Sequence, residues 1–280
     1  MIQSFYIAKD AEDAIRRKRE LDGRGVFLAG GTEINRLGSS VDSDEVISIR
    51  KIGCDRIDDQ SETIRIGCCV TFQQLVESSL LPAWLRDASK YCDSRTKRNM
   101  ATIGGNIALG RDDSYLMPAL LAAKVRLLTA GLTEEGVYTE DELPIREYHA
   151  FKDHFAGTLI LAILIDKHER FVMTRRFSRT AQSHASVTVG FGADRDEAGN
   201  PANVRIFAAV KGSGIQRYAD IENAIEGDAY NSPEDVQFAV SSMTKAVDDL
   251  SGSATYKRYL AGVAVSDIYR MFLSGTGGAK

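Results

Sequence analysis

No stretch of this chain approaches the roughly 20 apolar residues needed to cross a bilayer; Leu159 to Ile165 is its longest obvious run. The opening Met1-Ile2-Gln3-Ser4 has neither the basic start nor the apolar stretch of a secretory signal, so the expected location is cytoplasmic. Positive charge is not in excess either: 35 Lys and Arg stand against 39 Asp and Glu, a net charge of -4. That balance argues against nucleic acid or an anionic membrane as the main partner. Only four cysteines occur, Cys54, Cys68, Cys69 and Cys92, and their spacing fits no zinc or iron–sulfur ligand pattern. They are expected to be buried free thiols, and any metal in the system is expected on another chain.

The usual nucleotide and nucleophile signatures are also missing. Gly23-Arg24-Gly25 and Gly212-Ser213-Gly214 lack the third glycine of a dinucleotide fingerprint, and there is no glycine-lysine-serine phosphate loop. No serine occupies a nucleophile elbow. The four histidines, His149, His154, His168 and His184, do not sit at metal-binding spacing, and His149 and His154 are expected at the surface of a loop. The single Trp84 is expected to pack in the core, and Arg16-Arg17-Lys18-Arg19 to form a solvated helix face.

What is present is the composition of an ordinary globular protein, 44% hydrophobic and 26% charged over 280 residues. Ser4 to Ala8 reads as a strand, and Asp10 caps a helix running to about Leu21. Gly25 to Ala29 and Glu45 to Ile49 complete a β-α-β-β unit. Alternation of Ile64, Ile66 and Cys68 predicts a half-buried strand. Thr71 and Gln74 form a capping box for a helix to about Ser78. Helices follow at Trp84–Tyr91 and Leu116–Ala123, the latter with Pro118 in its first turn, and strands near Val125–Leu128 and Thr158–Ile165. Val187–Phe191 and Val204–Val210 pair across the Asp194–Pro201 turn. Helices over Tyr218–Ile225, Ser232–Leu250 and Tyr256–Phe272 precede a Gly275–Lys280 tail expected to be disordered.

Two glycine pairs carry the functional reading: Leu28-Ala29-Gly30-Gly31-Thr32-Glu33-Ile34 and Thr102-Ile103-Gly104-Gly105-Asn106. Lacking a Cβ, glycine reaches left-handed backbone conformations and lets a ligand come close. Successive N–H groups in such turns form a concave nest for phosphate oxygens. Two nests would suit the two phosphates of a dinucleotide. A Gly-Gly pair alone more often marks a plain turn.

At these residues the sequence resembles the FAD-binding medium subunit of the xanthine dehydrogenase and carbon monoxide dehydrogenase (molybdopterin dehydrogenase) family. Ala29-Gly30-Gly31-Thr32-Glu33 is similar to that family's first flavin turn, and Ala101 to Ala108 to its second. Phe177-Ser178-Arg179-Thr180 and Tyr256-Lys257-Arg258-Tyr259-Leu260 resemble parts of its C-terminal domain. The resemblance implies an α+β fold of the PCMH type, with FAD between two sub-domains at residues 1–58 and 59–170. A C-terminal domain at 171–280, with a small sheet and helices, would follow. It implies FAD contacts at Leu28, Ala29, Gly30, Gly31, Thr32, Glu33 and Ile34, and at Thr102, Ile103, Gly104, Gly105 and Asn106. It further places Ile160 as an apolar cofactor contact and Arg175 near a basic one.

One departure matters. Where the family has an acid that holds a ribose hydroxyl of FAD, this chain has Tyr115, with Asp112 and Asp113 close by as possible substitutes. The implied function is electron transfer: a molybdenum large subunit oxidises substrate, an iron–sulfur small subunit relays electrons, and this flavoprotein passes them to NAD or another acceptor. Such a role needs a positioned flavin and no acid–base residue of its own. The alternatives are a structural subunit that has lost FAD and a free-standing flavin oxidase.

Overall fold

The computed structural model describes residues 2–36, 39, 43, 45–181 and 183–275. Of the tail expected to be disordered, Gly275–Lys280, residues 276–280 lie outside that set, while the Gly275 N–H donates to the Phe272 carbonyl. The chain divides into two compact units. One comprises Met1–Leu80, Ser94–Leu109 and Lys124–Lys167, the other Leu81–Asp93, Gly110–Ala123 and His168–Lys280.

The first unit contains two sheets. Strands β1 (Ser4–Ile7), β2 (Gly25–Leu28) and β3 (Glu45–Ser48) form a parallel sheet in the order β1-β3-β2. Its crossover is the helix Ala11–Glu20, whose first turn is capped by Asp10 through the Asp13 N–H. Buried Val46 and Ile47 put β3 at the centre, and Glu45 is tolerated there because Arg17 grips both its oxygens. The basic run is therefore not simply solvated: Arg17 holds Glu45, and Lys18 lies over the Phe27 ring.

The second sheet is antiparallel, in the order β4-β5-β8-β6-β7. Its strands are β4 (Ile57–Asp59), β5 (Thr63–Gly67), β6 (Arg126–Leu132), β7 (Tyr138–Pro144) and β8 (Leu159–Asp166). Central β8 is buried for seven of its eight residues, which explains its unbroken apolar run. Edge strand β7 reads Tyr-Thr-Glu-Asp-Glu-Leu-Pro, a charged pattern that hides a strand from periodicity but suits an edge, where charge discourages further pairing. His149 closes a short helix, Ile145–Ala150, and His154 lies in a 3-10 turn, Lys152–Phe155, so both depart from the expected loop.

The second unit is built on an antiparallel sheet, β12-β11-β10-β9, formed by β9 (Phe171–Phe177), β10 (Val187–Arg195), β11 (Pro201–Val210) and β12 (Gly214–Arg217). The helix Met117–Ala122 packs on β10 and β11, its backbone against Gly190 and Gly192. Helices Ala219–Glu226, Pro233–Met243 and Ala254–Leu273 close a core that includes Phe191, Ile206, Tyr218, Val265 and Phe272.

The helix expected over Ser232–Leu250 stops at Met243. Thr244 turns extended there, its hydroxyl donating to the Val240 carbonyl and meeting the buried Tyr218 hydroxyl at 2.8 Å. The chain beyond it wraps a completely buried ammonium: Lys257 donates to the carbonyls of Lys211 and Val247 and pairs with Asp249 at 2.8 Å. A charge that deep demands such acceptors, and a continued helix could not turn its carbonyls toward it.

Candidate functional site

The two glycine segments lie against each other within the first unit. The first leaves the carboxyl end of β2, the end of a parallel sheet at which ligands are commonly received. A Cβ on Gly30 would overlap the Met100 carbonyl oxygen and sit 2.7 Å from its carbon, so only glycine lets the two backbones touch. Gly31 follows with φ +71°, a left-handed conformation that other residues adopt at a cost. Its carbonyl accepts the Asn35 N–H at 3.1 Å, and Glu33 pairs with Arg36 at 2.6 Å. Among the described residues, the N–H groups of Gly30, Gly31 and Thr32 have no acceptor in the protein, so this loop presents free donors as a nest requires.

The second segment differs from the expected open turn. Gly104 and Gly105 lie in the first turn of a helix, Ile103–Leu109, and neither has positive φ. Its leading donors are already engaged. Ile103 N–H donates to Val70 O, Gly104 N–H to Cys68 O, and Gly105 N–H to the Thr102 hydroxyl. Thr102 is itself fixed by an antiparallel bridge to Thr71, beside the helix that Thr71 and Gln74 cap.

The two glycines have separate reasons. A Cβ on Gly104 would sit 2.5 Å from the Cys68 Cβ, so Gly104 permits close packing on the end of β5. Gly105 is exposed, and its Cβ would meet only the Thr102 hydroxyl, leaving bare backbone at the surface. Among the described residues, N–H groups without a protein acceptor therefore lie in the first segment. In the second, a buried helix start braces the first and exposes Gly105.

Ile160 also belongs to this unit, buried in β8 opposite Thr129. The remaining candidates belong to the other unit. Buried Asp113 takes a two-pronged contact from Arg111, at 2.7 and 3.1 Å, and a third from His184 Nδ1 at 2.8 Å. Burial opposes its charge, but Arg111 outweighs it and holds the carboxyl below its usual range. Asp112 accepts the Gly212 N–H through Oδ2. Burial pushes the Tyr115 hydroxyl well up, reinforced by its Cys92 neighbour. Arg175 lies on β9 with its guanidinium against the Thr174 carbonyl and the Met271 sulfur.

Sequence reasoning missed Met100, Cys68 and the Val70–Phe72 stretch that braces the second segment. The signal available was indirect: Gly30 needs a close neighbour to explain its missing side chain. All four cysteines are free and buried, as expected. Trp84 is only half-buried. Among the described residues, no helix is long and apolar enough to cross a membrane, and no group of His, Cys, Asp and Glu could hold a metal ion.

A sequence profile described as "FAD binding domain in molybdopterin dehydrogenase" matches residues 1–165. "Uncharacterized protein YgfM" of Escherichia coli (strain K12) is 32% identical over 270 residues, 96% of each chain. Among solved structures, a carbon monoxide dehydrogenase chain from Hydrogenophaga pseudoflava matches with TM-score 0.82 at 21% identity, covering 98% of both chains. A chain of quinoline 2-oxidoreductase from Pseudomonas putida 86 matches with TM-score 0.82 at 16% identity, again over 98% of both. These two likenesses establish the fold, and the profile, spanning more than half of the chain, establishes the family. The chain belongs to the molybdopterin dehydrogenase FAD-binding family, and its cofactor is FAD.

Proposed function

We propose that this chain is the electron-relay subunit of a molybdenum-containing oxidoreductase, accepting electrons from an iron–sulfur subunit and delivering them to NAD or another acceptor. The observation that carries the reading is the Gly30-Gly31-Thr32 loop, whose N–H groups have no acceptor among the described residues and whose Gly30 packs against Met100. In this reading Leu28 to Ile34 supply backbone donors for the diphosphate, and Thr102 to Asn106 supply the exposed Gly105 surface and the brace behind it. FAD, once bound, supplies the one- and two-electron chemistry. The chain's own residues bind it, orient it and tune its surroundings.

Ile160, Arg175, Asp112, Asp113 and Tyr115 remain proposed contacts on the strength of the family resemblance. Of the acids, Asp112 is the better substitute for the missing ribose carboxylate. Asp113 has both oxygens engaged, whereas Asp112 uses only one for Gly212. The family's description as a domain of molybdopterin dehydrogenases supports the larger partners.

The test is anaerobic bleaching of the flavin band. The isolated chain should resist reduction by purines, aldehydes and similar substrates, and bleach once the molybdenum and iron–sulfur subunits are added. Rapid bleaching of the chain alone by an organic substrate would replace this reading with a free-standing oxidase.

A further inference from the structure

We propose that Lys152 is a positioning residue for the cofactor, holding the last carbonyl of the Ile103–Leu109 helix so that Gly105 keeps its exposed place in the first turn. The proposal rests on the flavin reading above, which takes that exposed backbone as a cofactor contact.

The helix reads Ile-Gly-Gly-Asn-Ile-Ala-Leu, a poor sequence for a helix. Its seven residues fall short of the length at which a helix stands alone in water. Glycine is, after proline, the weakest helix former, and both glycines are present for other reasons: close packing on Cys68 and bare backbone. The segment therefore depends on ties from outside. At its start the Val70 and Cys68 carbonyls accept the Ile103 and Gly104 N–H groups, and on its flank Ile107 is buried.

At the far end, the carbonyls of the last turn have no helical donors. Lys152 Nζ donates to the Leu109 carbonyl there, at 2.7 Å. A cation is also the charge that the carboxyl end of a helix favours. Leu109 lies one turn beyond Gly105, and in the helical pattern its N–H donates to the carbonyl four residues back, that of Gly105. Holding Leu109 thus holds the Gly105 peptide.

The ammonium is offered from a braced turn. Lys152 opens the 3-10 turn Lys152–Phe155, one residue after the helix Ile145–Ala150. Ile145 and Tyr148 are buried, and the Tyr148 and Phe155 rings stack with centroids 5.4 Å apart. Burial pushes the Lys152 ammonium down from its ordinary range, opposed by Asp153, so the charge has more to gain from a carbonyl than it would in open water. His149 is also held low, by burial first and the Lys152 charge second, and adds no competing cation at neutral pH.

The experiment titrates FAD into the flavin-free full chain and records the dissociation constant beside a thermal melt. Lys152→Met keeps the apolar stem and removes the donor and the charge. If the untied helix holds the binding arrangement about a tenth of the time, the dissociation constant rises about tenfold. Lys152→Arg, which also donates to a carbonyl, should restore parental binding, and the neutral donor of Lys152→Gln should fall between. Because Lys152 acts through Gly105, the effects of Lys152→Met and Gly105→Ala should be less than additive. A parental dissociation constant in Lys152→Met, whatever its melting temperature, would overturn the proposal. So would Lys152→Arg binding as weakly as Lys152→Met, or full additivity with Gly105→Ala. Should Lys152→Met fail to fold, Lys152→Gln carries the same comparison. A parent that takes up no FAD would instead sink the flavin reading on which the proposal rests.

Discussion

Gly30 is pressed so closely against Met100 that the space for its side chain is filled by the Met100 carbonyl. That contact joins the two glycine segments and holds the first one open. Gly30→Ala should therefore separate them, costing about 1–3 kcal/mol, the usual penalty of overpacking. Denaturant unfolding of the flavin-free protein reads the cost, and flavin retained after gel filtration reads the site. A variant with parental stability and full flavin would show the contact to be incidental.

Gly104 and Gly105 should behave differently despite being neighbours. Gly104→Ala forces its Cβ onto Cys68 and should lower the melting temperature. Gly105→Ala meets only the Thr102 hydroxyl, at 2.9 Å, and should lower the melting temperature less than Gly104→Ala while weakening flavin binding, because it covers exposed backbone. Thermal melts paired with flavin titration separate the two. The reverse pattern would remove Gly105 from the proposed site.

Lys257 anchors the second unit. Lys257→Ala leaves two carbonyls without their buried donor and the exposed Asp249 without its cation, and should cost about 1–3 kcal/mol, the range for polar partners left unmade. Burial works against charge on Asp249, but hydrogen bonds from Lys257 and Ser251 outweigh it and hold its carboxyl at about 2. Its contribution should be complete above the ordinary aspartate value of about 3.9 and fade as pH falls toward 2. The parent should lose stability through that window, and Lys257→Ala should lose less there. Parallel acid limbs would argue against the pair.

Asp113 follows the same sign rule, since its folded carboxyl is also held low. Asp113→Ala removes the Arg111–Asp113 contact and should cost about 1–3 kcal/mol, the range for a broken charge-assisted hydrogen bond. Because both Asp113 oxygens are engaged by Arg111 and His184, flavin affinity should fall less than in Asp112→Ala. Equal flavin affinity in Asp112→Ala and the parent would eliminate Asp112 as a ribose contact, and Tyr115→Asp would then test whether restoring the acid tightens binding.

Elements governed by local rules were readable from the sequence. The Asp10 cap and the Thr71–Gln74 capping box obey short-range chemistry and match to within a residue. The β10–β11 hairpin is found with its turn, although its strands extend to Arg195 and from Pro201, three to four residues past the expected Phe191 and Val204 ends. What escaped depended on distant partners. The charged strand β7 exists because β6 offers an edge, and the helix from Pro233 ends at Met243 because Lys257 needs carbonyls from the following loop. The glycine pairs were visible, but the division of labour within the second was not. Nothing local indicates that Gly104 packs on Cys68 while Gly105 faces outward.

The central claim is that this chain carries FAD. The most direct measurement is to denature the purified protein, release its cofactor and identify it by chromatography against FAD and FMN standards, with the amount related to protein concentration. The account predicts FAD at close to one per chain, reduced in Gly30→Ala and Gly105→Ala. A dominant FMN peak, or a protein that takes up no flavin even when FAD is supplied in excess, would contradict it.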